Sequence, residues 1–549
     1  MSILKKILNQ KITIVVALIM LTIVASVPAF RNAIYEGDDL RFHLGRIQAI
    51  AEAISNHHIP VRYEDSAWFG HGYVSSLFYG NILLYFPALI FLAGAPIYRA
   101  MNLYIIMINL MTVLIGYYCF KRLFKDKYWG LFATICYTLA GYRLTNIYTR
   151  VAVGEYTAMA FLPLCIYGMY RLYTYDSEDY GKGIKRKIHT VLPFVLGVTG
   201  LIQSHILSTE MMALFILIFV LLNIKDFNRV FNLLLLSLGI IVLLNAFFII
   251  PFIDSYLSMD LRINTNPVSI DLQGYGLYIK QLFGLITHGR GENYVWSTNE
   301  EGCFNVGLLI VVCEILTFTY IVNLFIHWKK GNKSVSPDVK WFFQLVILGV
   351  LSMWMSTVYF PWKAISEAGH IGEIIGAVQY PWRYVIIQNI VFVVTGTYAA
   401  KRLIKCDYCK YVTTIMIFVL AVFMTGIFDY QLSFGKNITA EQAAEDWADK
   451  LYLPVGTDVD SLENTEVSFT DTKAVLQVLA YDNVHVFDAN NDEISVEKWE
   501  GNLLAIDKAS YNEGIQVRYI EPWYWRVSEI ISIMVLAGLI AYLMTKKLD

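Results

Sequence analysis

Charge is scarce in this chain. Asp, Glu, Lys and Arg make up 16% of its 549 residues against 56% hydrophobic, and a mean hydropathy of +0.50 excludes a string of ordinary soluble domains. The short alternating strands that close a membrane barrel are missing as well. What recurs instead is the apolar run of near 20 residues, as from Ile12 to Phe30 and from Phe231 to Pro251. Such a run crosses about 30 Å of hydrocarbon as one helix. The expected fold class is therefore a polytopic α-helical membrane protein. Cysteine is sparse too: seven residues, none in the acidic stretch before the last apolar run, which excludes a disulfide framework. Cys406 and Cys409 form one C-x-x-C without a second ligand pair, so no structural zinc is expected.

Nucleotide-binding loops are also missing. No G-x-x-x-x-G-K-[ST] occurs, and the G-x-G-x-x-G that Gly274 and Gly276 begin fails at Ile279. ATP and soluble sugar nucleotides are thereby set aside as direct substrates, and nucleic acid is not an expected partner. Neither internal repeats nor low-complexity tracts are found.

Basic residues are unevenly placed. From Lys436 to Glu521 there are 18 acidic and 6 basic residues, so the rest of the chain carries an excess of positive charge although the total is −2. Lys and Arg in short loops stay in the cytoplasm. That rule demotes Leu77 to Ala93 to a shallow helix on the outer face, because a full span there would invert every later basic loop. The clusters at 121–127, 182–187, 225–229, 329–340, 401–410 and 546–547 then all fall inside. Lys5, Lys6 and Lys11 precede an uncleaved first span rather than a signal peptide. About 12 spans result, near 11–30, 97–119, 129–146, 156–174, 190–205, 207–223, 230–251, 303–327, 341–359, 384–403, 411–429 and 526–545. The expected location is the cell membrane, multi-pass, with both termini cytoplasmic. Residues 1–429 form the transmembrane domain, with large outer loops at 31–96, 252–302 and 360–383. Residues 430–524 form a small extracytoplasmic β-rich domain, read from alternation at Val475 to Leu479, Val484 to Phe487 and Ile515 to Tyr519. Residues 525–549 supply the final span and a tail.

Chemistry concentrates in the first outer loop, which opens Glu36-Gly37-Asp38-Asp39-Leu40-Arg41-Phe42-His43-Leu44-Gly45-Arg46. On a helix from there to about Ser55, Asp39, His43 and Arg46 share one face. A carboxylate so placed suits proton abstraction from a hydroxyl, with the cationic groups favouring an anionic donor. An acidic pair is equally a helix N-cap, though one Asp suffices for that. Glu155 is a candidate second acid or a cap of the fourth span. Arg383 is the first candidate to hold a phosphate through its bidentate fork, followed by Arg150, Arg46 and Arg62. His205, beside Gln203 and Ser204, serves either substrate or helix packing. His288, Arg290, His370 and Glu373 are acceptor-side or metal-side candidates. No metal ligand set is identified, and a divalent cation stays open as a cofactor.

The stretch from Gly37 to Pro60, with its acidic pair, D-x-x-x-H and Ile59-Pro60, resembles the GT-C superfamily of polyprenyl-phosphate-dependent glycosyltransferases. It looks closest to the bacterial YfhO-like branch and to the membrane family labelled "6-pyruvoyl-tetrahydropterin synthase-related". Gly70-His71-Gly72-Tyr73, Phe78-Tyr79-Gly80 and Gln379-Tyr380-Pro381-Trp382-Arg383 extend the likeness. The resemblance implies a GT-C-like transmembrane body and a polyprenyl-phosphate-linked sugar as donor. It also implies inverting transfer to a cell-envelope glycan, lipid or protein on the outer face of the membrane. The first-loop aspartate of the family, its catalytic base, maps to Asp39, with Asp38 as the alternative, and a second acidic residue maps to Glu155. Two rivals remain: a lipid-linked glycan flippase or transporter, and a non-catalytic envelope-assembly scaffold. Transporters gather polar residues and broken helices at mid-membrane, whereas here they gather in outer loops.

Overall fold

The structure, a computed structural model, describes residues 11–175, 183–265, 272–287, 304–330, 337–438 and 449–544. The chain is an integral membrane protein, mostly helical. Seven of its described helices are long and apolar enough to cross a bilayer: Lys11–Phe30, Ile97–Phe124, Ile224–Leu244, Leu308–Lys329, Asp338–Met355, Asp407–Leu432 and Trp523–Tyr542. Other expected spans take a different form, for a physical reason. Val385–Leu403 is a full 19 residues, yet it carries Gln388, Asn389, Thr395 and Thr397, all buried. A helix enclosed by its neighbours has no need of an apolar surface toward lipid, so its hydropathy drops. The expected span at 129–146 is interrupted, as the helix Lys127–Thr138 gives way to Gly141–Leu144 and a π turn at Thr145–Thr149. Leu77 to Ala93 is likewise not one helix but pieces at Ser75–Phe78, Ile82–Leu84 and Tyr85–Leu92.

Two compact units are distinguished by their internal packing. The first comprises Met1–Leu40, Met101–Ser237 and Ile270–Thr439. Its tightest helix pairs are Leu308–Lys329 with Val385–Leu403 and Leu162–Tyr173 with Ile184–Ile202. Asp126 caps Lys127–Thr138 by accepting from the amides of Tyr128 (2.8 Å) and Trp129 (3.1 Å), and its other oxygen takes Lys410 at 2.9 Å. A short antiparallel pair, β1 (Ile34–Tyr35) with β2 (Asn437–Ile438), ties the end of the first span to the end of Asp407–Leu432.

The second unit comprises Arg41–Ala100, Leu238–Ser269 and Ala440–Asp549. Here the strands read from period-two alternation appear. A four-stranded antiparallel sheet runs in the order β3 (Ser468–Phe469), β4 (Lys473–Leu479), β8 (Leu503–Asp507), β7 (Glu497–Lys498). A three-stranded sheet runs β6 (Glu493–Ile494), β5 (Val484–Phe487), β9 (Gln516–Tyr519). The β region expected at 430–524 does not close its own core. Val475, Val486 and Ala505 share one hydrophobic cluster with Phe42, Trp68 and Tyr73 from the first loop, with Met259 and Leu261, and with Trp525 at the start of the last span. A small two-sheet body buries too little apolar surface alone, and the loop residues complete it.

Candidate functional site

The first unit gathers Asp39, Arg150, Glu155, His205 and Arg383. Gly37 begins the arrangement. A Cβ on it would lie 2.3 Å from Val151 Cγ2 and 3.1 Å from the Arg150 carbonyl oxygen, so only glycine lets the Gly37-Asp38-Asp39 turn approach this closely. The Asp39 amide then donates to that same carbonyl at 2.9 Å. Val151 sits at φ +54°, in the left-handed region that a β-branched residue rarely enters. Strain of this kind, about 1–3 kcal/mol, gathers where geometry is demanded by something other than stability. The π turn Thr145–Thr149 delivers Arg150 to this point.

Glu155 is the hub. Its Oε1 accepts from the Tyr142 hydroxyl (2.8 Å) and the Asn146 amide (2.9 Å), and its Oε2 accepts from Arg150 Nη1 (2.9 Å), with Arg383 Nε 3.6 Å away. It is 1% exposed. Arg150 Nη1 also donates to Asn146 Oδ1 at 2.7 Å. Arg383 is aimed by the 3-10 turn Pro381–Tyr384, where its Nη1 donates to the Val378 carbonyl (3.0 Å) and Gln379 Oε1 (2.8 Å). Among the described residues, no hydrogen bond engages Nη2 of either arginine. Asp39 is partly buried, and its carboxyl is held above the ordinary range: burial raises it, Glu155 adds to this, and the opposing fields of Arg150 and Arg383 do not cancel them. His205 caps the helix Ile206–Leu222, its Nδ1 2.8 Å from Ser208 Oγ and accepting from the Ser208 amide at 3.3 Å. With Nδ1 accepting, the ring proton belongs on Nε2. Gly154 permits the approach, since a Cβ there would be 2.9 Å from the Ser204 carbonyl and 3.0 Å from His205 Cδ2.

An aromatic wall lies beside the two guanidinium groups. Tyr380 stacks on Trp382 at 4.3 Å and Trp382 on Phe304 at 4.7 Å, with Tyr275 edge-on to both Tyr380 and Trp382. Arg383 lies 5.2 Å over Tyr380 and Arg150 5.9 Å over Phe304. Of these rings, Tyr380 and Trp382 stand in a motif read from the sequence, Gln379 to Arg383, but neither was given a role there. The i, i+2 pair Tyr380 and Trp382 was visible beside Arg383, whereas Phe304 and Tyr275 come from separate segments and give no local signal.

Other candidates stand elsewhere. His43, Arg46 and Arg62 belong to the second unit. His43 Nδ1 is 3.3 Å from Arg46 Nη1, and Arg46 also donates to Asn81 and lies 4.5 Å over the Tyr79 ring. Arg62 was expected to hold phosphate. It instead makes ion pairs of 2.7 Å with Glu521 and with Glu529 and donates to the Phe247 carbonyl at 2.8 Å, which commits its charge to the fold. Asp38 is partly buried next to Asp39. His370 opens the short helix His370–Gly376, while His288, Arg290 and the Glu373 side chain lie outside the described residues. Among the described residues no group of three or more His, Cys, Asp or Glu side chains is placed to hold a metal. A divalent cation near Glu155 would meet two guanidinium groups and a carboxylate already accepting three hydrogen bonds, so this donor set does not fit one.

No family model matches the sequence. The chain is 24% identical over 361 residues to an uncharacterised protein of Lactococcus lactis subsp. cremoris (strain MG1363), covering 63% of this chain and 54% of that protein. It thus spans about half the length of the curated relative it matches. Among solved structures it is similar to the arabinofuranosyltransferase AftD from Mycobacteria, with a TM-score of 0.39 and 10% identity over 78% of this chain and 27% of that one.

Proposed function

We propose that this protein is a membrane glycosyltransferase that moves a sugar from a polyprenyl phosphate to a cell-envelope acceptor with inversion at the anomeric carbon. The observation that carries the reading is the meeting of Asp39 with Arg150 and Arg383, the one a carboxyl whose basicity is raised, the others cations with an uncommitted edge. The resemblance of the Gly37 to Pro60 stretch to GT-C enzymes, and to their YfhO-like branch, points the same way.

In this reading the acceptor hydroxyl attacks the anomeric carbon and gives its proton to Asp39. A new carbon–oxygen bond forms as the bond from that carbon to the phosphate oxygen breaks, and the polyprenyl phosphate leaves with the electron pair. A guanidinium presents paired N–H groups that match a phosphate, so the free Nη2 edges of Arg150 and Arg383 would hold the departing anion. Glu155 is assigned a positioning role, because every oxygen it would need as a base is already accepting. The wall of Tyr380, Trp382 and Phe304 supplies flat apolar faces against which a sugar ring packs.

The test is transfer of label from a radiolabelled polyprenyl-phosphate sugar in membranes carrying the wild type or Asp39→Asn. Loss of transfer in Asp39→Asn with normal membrane insertion is expected. Full transfer by Asp39→Asn, and by Asp38→Asn as well, would remove the base and the reaction with it.

A further inference from the structure

Two cavities in the first unit share part of their lining and differ in character. The larger, about 230 Å³, is bordered by Lys125, Lys401 and Arg402 together with Asp338. The smaller, about 60 Å³, is lined by apolar and aromatic side chains, including Met212, Phe215 and Ile387. Leu123, Tyr170, Trp341, Leu345 and Val394 line both, so the two form one slot with a cationic mouth and an apolar interior.

The helix Val385–Leu403 gives the slot its length. Ile387, Ile390, Val391, Val394, Tyr398 and Arg402 recur at intervals of three and four, which is one face of that helix from end to end. At 1.5 Å per residue the stripe from Ile387 to Arg402 runs roughly 22 Å, longer than one leaflet of a hydrocarbon core about 30 Å thick. Trp341 stands edge-on to Tyr170 at 5.6 Å and to Phe219 at 6.1 Å, a stiff wall beside the mouth. At the mouth, Lys401 Nζ uses one donor on the Phe124 carbonyl (2.6 Å). Arg402 pairs with Asp338 at 3.1 Å, but both groups are largely exposed and such a pair is worth little. Lys125 is exposed. These cations come from the loops at 121–127 and 401–410, which the distribution of Lys and Arg assigns to the cytoplasmic face.

We propose that this slot is a binding site for an anionic glycerophospholipid of the inner leaflet, with one acyl chain along the Val385–Leu403 stripe and the phosphate at Lys125, Lys401 and Arg402. Basic pockets between membrane helices on the cytoplasmic side select anionic headgroups, and an apolar slot beneath the mouth adds the chain. The slot shares no lining residue with the Asp39 cluster, and the inference holds whether or not the protein transfers sugar.

The experiment is native mass spectrometry of the full-length protein, delipidated in detergent and titrated with 1-palmitoyl-2-oleoyl phosphatidylglycerol, the matching phosphatidylcholine, or a polyprenyl phosphate. Retention of one phosphatidylglycerol in preference to phosphatidylcholine is expected, weakened about fivefold for each cation removed in Lys125→Gln and Arg402→Gln. Leu345→Trp, which fills the slot without touching the charges, should abolish that retained lipid. Equal retention of the two phospholipids by the wild type, or phosphatidylglycerol retention indifferent to all three substitutions, overturns the proposal. So does polyprenyl phosphate displacing phosphatidylglycerol from this slot.

Discussion

Gly37→Ala adds one methyl group to the tightest contact of the site, and its effect can be worked from the distances. The new carbon would sit 2.3 Å from Val151 Cγ2 and 2.9 Å from Val151 Cβ, where ordinary contact begins near 3.4 Å. About 1 Å must be found by moving the turn, and Val151 is poorly able to yield because it is already strained at φ +54° and buried. Overpacking of this size costs about 1–3 kcal/mol of stability. The catalytic consequence is larger, since the Asp39 amide hangs from the neighbouring Arg150 carbonyl and an ångström of misplacement costs on the order of 100-fold in rate. Gly37→Ala should therefore insert and fold with a modestly lowered melting temperature while its sugar-transfer kcat falls about 100-fold. Thermal unfolding in detergent and the labelled-donor assay, run on the same preparation, separate the two effects. Transfer at the wild-type rate would refute the claim that the Gly37 contact sets the position of Asp39.

A base must be ionised to work and burial opposes that ionisation, so transfer should rise with pH through a value above the ordinary aspartate 3.8, and a pH–rate profile checks it. The same raised value means the folded state binds this proton more tightly than the unfolded chain, so stability falls as pH climbs past it; Asp39→Asn should melt slightly higher than wild type at neutral pH while transferring nothing. Glu155→Gln leaves Arg150 and Arg383 facing a neutral partner in a buried setting, which should cost about 3–5 kcal/mol, read as a lower melting temperature, and a donor KM raised by misaimed arginines. Arg62→Met removes the buried partner of Glu521 and Glu529 and leaves them only the half-exposed Arg526, at 3.3 and 3.0 Å, so it should cost less, about 1.5–3 kcal/mol; limited proteolysis should then cut within 41–100 and 449–524 before it cuts elsewhere.

Legibility in the sequence followed the range of the interactions. The strands β4, β5 and β9 fall where alternation puts them, because a two-residue period is local, and in β5 the buried Val484 and Val486 flank the half-buried His485 as that period requires. Asp39 was visible for the same reason, as an acidic pair ahead of an amphipathic helix. Arg150, Glu155 and Arg383 could be named as candidates beside it, but no local pattern shows how they meet: the two arginines lie 233 residues apart in sequence and reach the Glu155 carboxylate only through a π turn and a 3-10 turn. Arg62 misled because its partners, Glu521 and Glu529, stand more than 450 residues away, so an arginine that looks available in the sequence is spent in the fold. The helix Val385–Leu403 falls where the span near 384–403 was expected, although its buried Gln388, Asn389, Thr395 and Thr397 lower its hydropathy because what they face is protein.

The charges of the cluster explain why one carboxylate is saturated and the other is not. Two guanidinium groups this close repel each other, and Glu155, bonded to Arg150 and 3.6 Å from Arg383, is what permits them to share a site. Its three hydrogen bonds fix it as a charge of constant sign, so it organises the pair without competing for a proton. With Glu155 counted, the cluster carries one net positive charge when Asp39 is protonated and none when it is ionised. In the proposed transfer Asp39 works ionised, in a cluster of no net charge, and an arriving phosphate would add its own charge to the burial that raises the basicity of Asp39, the property an abstracting group needs as the acceptor hydroxyl attacks. A second free carboxylate in place of Glu155 would reverse this, repelling the donor and leaving the arginines without a fixed partner. The division of labour between one anchored and one titrating acid follows from the need to hold two cations together and still welcome an anion.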